Sequence, residues 1–211
     1  MKSNREVIFF HSPQTRSSCV LSLLEELHAD YQLRVLNMKA GEQRGAEYLA
    51  INPMGKVPAL LHNGALVTEQ VAIHLYLADL YPESGLAPPI GDPQRGPYLR
   101  WLVFYAACFE PAVVDRSQKH EVAQQAMCPY GDYDTMLKTV TDQLAKGDYL
   151  LGSRFTAADM LWGNALTWAT SFGLVAMTPL IQAYISRINA RPSIQRTNEM
   201  DARILAEQSA S

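Results

Sequence analysis

Asn52-Pro53-Met54-Gly55-Lys56-Val57-Pro58-Ala59-Leu60-Leu61-His62-Asn63-Gly64-Ala65-Leu66-Val67-Thr68-Glu69-Gln70 is the stretch from which the fold is read. Two apolar runs, Ala59-Leu60-Leu61 and Leu66-Val67, flank Asn63-Gly64. Asn-Gly supplies the positive φ angles of a type I′ turn, so the pattern predicts a β-hairpin. Glu69 then opens a helix with Ile73, Tyr76, Leu77 and Leu80 on one face. Val71 and Leu75 make a second flank apolar, as expected of a helix covered from two sides.

Upstream, Val7-Ile8-Phe9-Phe10 has the composition of a buried strand and is closed by Ser12-Pro13. Val20, Leu23, Leu24 and Leu27 recur at helical spacing, with Ser22, Glu25 and Glu26 on the other side. Tyr31 to Leu36 reads as a second strand, which makes a parallel βαβ unit. Downstream, Pro82, Pro88, Pro89 and Pro93 with Gly85, Gly91 and Gly96 have the composition of a linker. Helical patterns follow over Tyr98 to Asp115, Asp132 to Lys146, Ala157 to Ser171 and Leu180 to Ala190, with Gly147 as a stop. The expected fold class is an α/β N-terminal domain, a mixed four-stranded sheet with helices, followed by an all-α domain. The expected spans are 1–81, a linker at 82–97, and 98–211.

The chain of 211 residues is 48% hydrophobic and 18% charged, the composition of a globular protein. A net charge of −3 argues against nucleic acid or an acidic membrane as the principal partner. Cys19, Cys108 and Cys128 are widely spaced and form no metal-ligand cluster with the histidines, so no metal is expected and a reducing compartment is. The residues from Met1 to His11 contain too short an apolar run for a leader or membrane span. The cytoplasm is the expected location.

Asn52 to Leu60, followed by Thr68-Glu69-Gln70, resembles the glutathione-binding signature of cytosolic glutathione S-transferases. Leu151-Gly152-Ser153-Arg154-Phe155-Thr156-Ala157-Ala158-Asp159 resembles the matching signature of their second domain. The resemblance implies a thioredoxin-like first domain, glutathione as co-substrate, a small electrophile as second substrate and a two-fold homodimer. It also implies a cis Val57-Pro58 bond, with the backbone of Val57 pairing with the cysteinyl unit of glutathione. Glu69 and Gln70 are then expected at the γ-glutamyl end, where a helix N-terminus favours a carboxylate. Many members have Ser or Thr where Gln70 stands.

In several classes a Ser, Cys or Tyr after the first strand donates a hydrogen bond to the glutathione sulfur. The loop here reads Ser12-Pro13-Gln14-Thr15-Arg16-Ser17-Ser18-Cys19. Aligned with bacterial beta-class-like members, Ser17 takes the place of their serine and Arg16 that of their cysteine. At 100° per residue Ser17 projects near Leu24, and Ser18 near Glu25 toward solvent. Ser17 is the expected thiol activator, with Thr15 and Ser12 as alternatives; Ser17 is also a candidate N-cap. Cys19 reads as a half-buried helix residue rather than a nucleophile. Lys39, or Lys56, is expected at the glycine carboxylate. Thr156 and Asp159 have capping-box spacing and read as a folding determinant, with Trp162 and Trp168 as core. Phe104, Tyr105 and Cys108 are the expected lining of the second-substrate pocket.

The implied reaction is transfer of the glutathione thiolate. Lowering a thiol pKa from about 8.5 by about two units takes about 2.7 kcal/mol. One charge-assisted hydrogen bond of about 1.5–3 kcal/mol and a helix dipole of about 0.3–1 kcal/mol suffice. The competing readings are a glutathione-dependent isomerase of zeta-like type, a glutathione-disulfide reductase, and a non-catalytic binding or scaffold protein.

Overall fold

Buried apolar residues hold β1 (Val7–His11) inside a four-stranded sheet in the computed structural model, which describes residues 4–121 and 124–210. Residues 1–3, 122–123 and 211 of the expected spans, and with them the start of the leader reading, lie outside the described residues. The sheet order is β2-β1-β3-β4. β2 (Tyr31–Val35) runs parallel to β1, from Val7↔Tyr31 to His11↔Val35. β3 (Ala59–His62) runs antiparallel on the other side, with Phe10↔Ala59, and β4 (Ala65–Val67) closes the edge. Asn63 and Gly64 turn the hairpin at φ 51° and 82°, the two positive angles that a type I′ turn needs.

The crossover from β1 to β2 is α1 (Arg16–Glu26), which buries Cys19, Val20, Leu23 and Leu24. The short α2 (Ala46–Leu49) presents Tyr48, whose hydroxyl donates to the Lys56 carbonyl at 2.6 Å and ties down the loop before β3. α3 (Gln70–Leu80) buries Ile73 and Leu77 as expected, and leaves Val71, Leu75 and Leu80 half-buried. Tyr76 departs from the expected face: it is 36% exposed, and its hydroxyl meets His62 Nδ1 at 2.5 Å. His74 takes a core position instead.

The chain packs as two units that divide it differently from the expected spans. One comprises the residues up to Ser84 together with those from Arg191 onward; the other is Gly85–Ala190. α9 (Pro192–Ala210), which no pattern had marked as a helix, therefore belongs with the sheet. It lies along the polar side of α1. Arg196 Nε donates to Glu25 Oε2 at 2.8 Å, Arg191 Nε to Glu26 Oε2 at 3.1 Å, and Ser18 Oγ to Asp201 Oδ2 at 2.6 Å. The side of α1 read as solvated is covered, and Ser22 is 2% exposed. Polar residues there serve as ion-pair and hydrogen-bond partners of a second helix.

In the second unit, α4 (Arg95–Phe104) starts inside the expected linker and leads through a π-turn at Tyr105–Phe109 into α5 (Glu110–Gln118). Pro111 explains the interruption of what the sequence predicts as one helix. It has no N–H to continue the ladder, and the N–H of Glu110 reaches five residues back, to Tyr105. α6 (Tyr133–Leu144), α7 (Ala157–Ser171) and α8 (Pro179–Asn189) complete the unit. Gly147 is not a left-handed helix stop. A Cβ there would lie 2.9 Å from Gly152 Cα, so glycine permits that close approach.

Trp162 is fully buried, its Nε1 donating to the Trp101 carbonyl at 2.9 Å. Trp168, expected in the core, is instead 46% exposed and packs on Phe172 at 4.8 Å between ring centroids. Asp159 anchors the start of α7. Its carboxylate accepts from Leu150 N at 2.8 Å, Thr156 N at 2.9 Å, Thr156 Oγ1 at 3.0 Å and the Tyr184 hydroxyl at 3.0 Å. The expected capping box is present.

Candidate active site

One edge of the sheet collects the chain ends that the sequence marks. β1 delivers His11 and Ser12 there, and Leu36, just past β2, donates its N–H to the His11 carbonyl at 2.8 Å. β3 begins at the same edge because Ala59 pairs with Phe10, which sets Val57 and Pro58 beside the end of β1. β4 ends there too, since Val67 pairs with Leu60, and Glu69 follows within two residues. The starts of α1 and α3 meet where Gln70 Nε2 donates to the Arg16 carbonyl at 3.4 Å. Such an edge, at the carboxyl ends of parallel strands and the N-termini of helices, suits an anionic ligand.

The Val57-Pro58 bond is cis, as the resemblance implied. Glu69 is exposed and holds φ 63° and ψ 116°, outside the regions a side chain favours. Conformations of this kind cost of the order of 1–3 kcal/mol and persist where surrounding structure fixes them. Lys39, which follows β2, and Lys56, which precedes Val57, are both exposed. The loop holding Lys39 is turned by Asn37, whose Oδ1 accepts from Lys39 N at 3.1 Å.

Ser17, the expected thiol activator, is withdrawn from the surface. It is fully buried, and its hydroxyl lies 2.9 Å from His11 Nδ1, 2.7 Å from Thr15 Oγ1 and 3.0 Å from both the N–H and the carbonyl of Ser12. Its face of α1 turns toward the end of β1, where His11 fills the space that the helical-wheel reading left open. Ser12 is 3% exposed. Of the three candidate hydroxyls, Thr15 alone is half-exposed. Thr15 is also the N-cap of α1, accepting from Ser17 N at 3.2 Å and placed 2.7 Å from the Ser12 carbonyl.

His11 and Asp201 are the polar residues that sequence reading missed. His11 Nε2 meets Asp201 Oδ1 at 2.9 Å, both from the sheet-bearing unit. Burial acts to raise the Asp201 carboxyl. Hydrogen bonds from His11 and Ser18 outweigh it and hold the group below the usual carboxylate range. The available signal was Ile194, Thr197 and Asp201 at helical spacing, one apolar and two polar residues on an inward stripe.

Cys19 is no nucleophile. Burial pushes its thiol up to about 12, against a hydrogen bond from Gln70. Its Sγ lies 3.5 Å from His74 Nε2. Burial lowers His74 to about 4, and its Nδ1 donates to the Gln70 carbonyl at 2.8 Å. A neutral thiol facing a neutral imidazole is a packing element.

In the helical unit, Tyr105 is 6% exposed and packs on Trp162 at 5.9 Å, so it belongs to the core. Phe104 and Cys108 keep part of their surface. A cleft of about 300 Å³ in this unit is lined by residues including Asp115, Arg116, His120, Tyr130 and Tyr133. Among the described residues, no group of three or more His, Cys, Asp or Glu could hold a metal ion. No helix among them is long and apolar enough to cross a membrane.

Residues 6–79 match the family described as glutathione S-transferase, N-terminal domain, and residues 106–192 the corresponding C-terminal domain. Glutathione S-transferase GstA of Escherichia coli is 30% identical over 189 residues, 88% of this chain and 94% of that protein. A glutathione transferase crystal structure from Methylococcus capsulatus superposes with a TM-score of 0.78 at 31% identity, covering 93% of this chain and 98% of the other. A sphingomonad glutathione S-transferase complexed with glutathione superposes at 0.76 with 30% identity, covering 92% and 98%.

Proposed function

Because this chain belongs to the glutathione S-transferase family and is a glutathione transferase in general activity, we propose that it joins the glutathione thiolate to small electrophiles. The observation that carries this reading is the meeting, at one sheet edge, of the cis Val57-Pro58 bend, the Glu69-Gln70 helix start and the Thr15 hydroxyl. In it Val57 pairs with the cysteinyl backbone, Glu69 with the γ-glutamyl ammonium, and Gln70 with its carboxylate. Lys39 or Lys56 takes the glycine carboxylate, and Phe104 and Cys108 contribute to the electrophile pocket. Thr15 replaces Ser17 as the hydroxyl that meets sulfur, because it is the one with exposed surface. The free state of Cys19, Cys108 and Cys128 supports a cytoplasmic setting. Half-buried Val71 and Leu75 on α3 support a two-fold homodimer.

Calorimetry with reduced glutathione tests the binding half. Glu69→Ala keeps a Cβ, and hence the same backbone demand, so it isolates the carboxylate. A charged hydrogen bond of about 1.5–3 kcal/mol corresponds to a loss of roughly tenfold or more in affinity. Unchanged affinity would remove Glu69 from the site. Turnover with an aryl halide or epoxide must consume free thiol. Conversion of a maleyl acid without thiol loss would favour the isomerase instead.

A further inference from the structure

We propose that His11 and Asp201 are positioning residues of a proton relay, Thr15–Ser17–His11–Asp201, that withdraws the proton of a bound thiol and leaves a thiolate facing Thr15. The proposal rests on the glutathione reading above and deepens it. It stands on four consecutive contacts inside one unit. Thr15 Oγ1 lies 2.7 Å from Ser17 Oγ, and Ser17 Oγ 2.9 Å from His11 Nδ1. His11 Nε2 lies 2.9 Å from Asp201 Oδ1, while Asp201 Oδ2 is fixed by Ser18 Oγ at 2.6 Å. The outer end, Thr15, is half-exposed; Ser17 and the His11 side chain are fully buried.

The directions of these bonds follow from what each group can offer. An ionised carboxylate only accepts, so His11 Nε2 carries a proton and donates to Asp201. In neutral His11, Nδ1 is then a bare acceptor. Among the described residues Ser17 Oγ is the group placed against it, so the Ser17 proton points to Nδ1. Turning that proton to the Ser12 carbonyl, 3.0 Å away, would leave two buried lone pairs facing each other. Ser17 Oγ accepts from Ser12 N and has room for the Thr15 hydroxyl proton, which the Ser12 carbonyl, also 2.7 Å from Thr15 Oγ1, takes when the relay is at rest. The chain thus runs inward, and Thr15 offers a lone pair to an incoming S–H.

Proton transfer reverses the links from the thiol to His11 Nδ1 and leaves the His11 Nε2–Asp201 bond as it was. The thiol S–H bond breaks and its proton goes to Thr15 Oγ1. Thr15 passes its own proton to Ser17 Oγ, and Ser17 passes its own to His11 Nδ1. No electrons leave the sulfur, no co-reactant is needed, and the two hydroxyls end neutral. The products are a thiolate and an imidazolium, the latter paired with the Asp201 carboxylate. Thr15 now donates its hydrogen bond outward to the thiolate. When thioether formation is complete, the imidazolium returns its proton to solvent or leaving group through the same hydroxyls.

The ionisable group facing His11 is Asp201, from α9; α1 presents hydroxyls, Ser17 to the ring and Ser18 to the carboxylate. β1 contributes the Phe9 ring at 5.9 Å, and β2 contributes the Leu36 N–H to the His11 carbonyl. Cys19 and His74 are turned to each other. The Asp201 carboxylate stabilises the imidazolium that the relay forms, so removing its charge disfavours the thiolate and should raise the apparent pKa of bound glutathione.

The experiment titrates the ultraviolet thiolate band of glutathione bound to the full-length protein, with calorimetric affinity measured at a pH where the thiol is protonated. Asp201→Asn should move the midpoint of the thiolate titration up by at least about one unit, while affinity for the protonated tripeptide stays within about threefold. Thr15→Val, at the surface end of the relay, should shift the titration the same way, and Thr15→Ser should bring it back. An Asp201→Asn protein that melts lower but titrates like the wild type would assign Asp201 a purely structural role and overturn the relay. So would a Thr15→Val protein with an unmoved titration, even if Asp201→Asn fails to fold. Wild-type protein that binds no glutathione would refute the function and the relay together; intact binding with unmoved titrations would refute the relay alone.

Discussion

Gly163, inside α7, faces Ile188 on α8, which is fully buried. A Cβ at position 163 would lie 2.5 Å from Ile188 Cγ2 and 2.7 Å from both its Cβ and Cγ1. Ordinary carbon contacts are about 3.5–4.0 Å, so the deficit is about 1 Å. The obstructing atoms are branched carbons next to the backbone and cannot swing aside. Gly163→Ala should therefore incur an overpacking cost near the top of the usual range, about 3 kcal/mol, against a helix-propensity gain of about 1 kcal/mol. The net loss is about 2 kcal/mol. In an Ile188→Ala background both γ carbons are gone, and α8 can shift into the space they leave. The residual crowding then roughly offsets the propensity gain, for a net effect near zero and a coupling of about 2 kcal/mol. Urea unfolding followed by tryptophan fluorescence reads this unit, because Trp101, Trp162 and Trp168 all lie within Gly85–Ala190. Equal penalties in the two backgrounds, within about 0.5 kcal/mol, would refute the contact as the cause.

Burial is the dominant influence on Asp159 and raises its carboxyl from 3.8 to about 6, against four opposing hydrogen bonds. The folded state therefore holds this proton more tightly than the unfolded chain. Its contribution is present below about pH 4 and is lost as pH rises through about 6, by about 3 kcal/mol at 1.36 kcal/mol per unit. The stability of wild type relative to Asp159→Asn should fall by that amount from pH 4 to 7; a flat difference would show that the group does not titrate in this window. Alkylation of the native protein at neutral pH should label the half-buried Cys108 and Cys128 and spare Cys19 until urea is added, as mass spectrometry would show. Rapid labelling of native Cys19 would contradict its burial. Light scattering at micromolar concentration should give the mass of two chains, and a one-chain mass that does not rise with concentration would exclude the dimer.

The sheet was legible because its signals are local. Asn63-Gly64 fixes a turn by itself, and the β-branched and aromatic run Val7 to Phe10 reads as a buried strand without reference to distant residues. The capping box of Thr156 and Asp159 is likewise contained in four residues. The expected glutathione contacts Val57, Glu69 and Gln70 sit where chain order alone brings them, after one loop and one hairpin. The burial of Ser17 is hidden from sequence for the opposite reason. A helical wheel gives Ser17 a direction but not a neighbour, and its neighbour His11 is aligned by Asp201, 190 residues away. The polar side of α1 looked solvated because nothing local says that Arg191 and Arg196 return to Glu25 and Glu26. Trp168 shows the converse: an aromatic residue on a buried helix can still occupy its outer stripe.

The return of α9 to α1 imposes an order on how the chain matures during synthesis. Strands β1 to β4 are complete once Val67 is made, yet the carboxylate that aligns His11 arrives only with Asp201. At about 5–20 residues per second, the interval between the two is roughly 7–27 s. Throughout it, Glu25 and Glu26 face water and the His11 ring lacks its partner. A nascent chain stalled after Ala190 would thus contain all four strands, Val57 and Glu69. It would not yet hold the acid end of the hydrogen-bonded chain leading to Thr15. The residues proposed to hold glutathione are therefore synthesised before the carboxylate that ends the proposed relay, with the whole helical unit made between them.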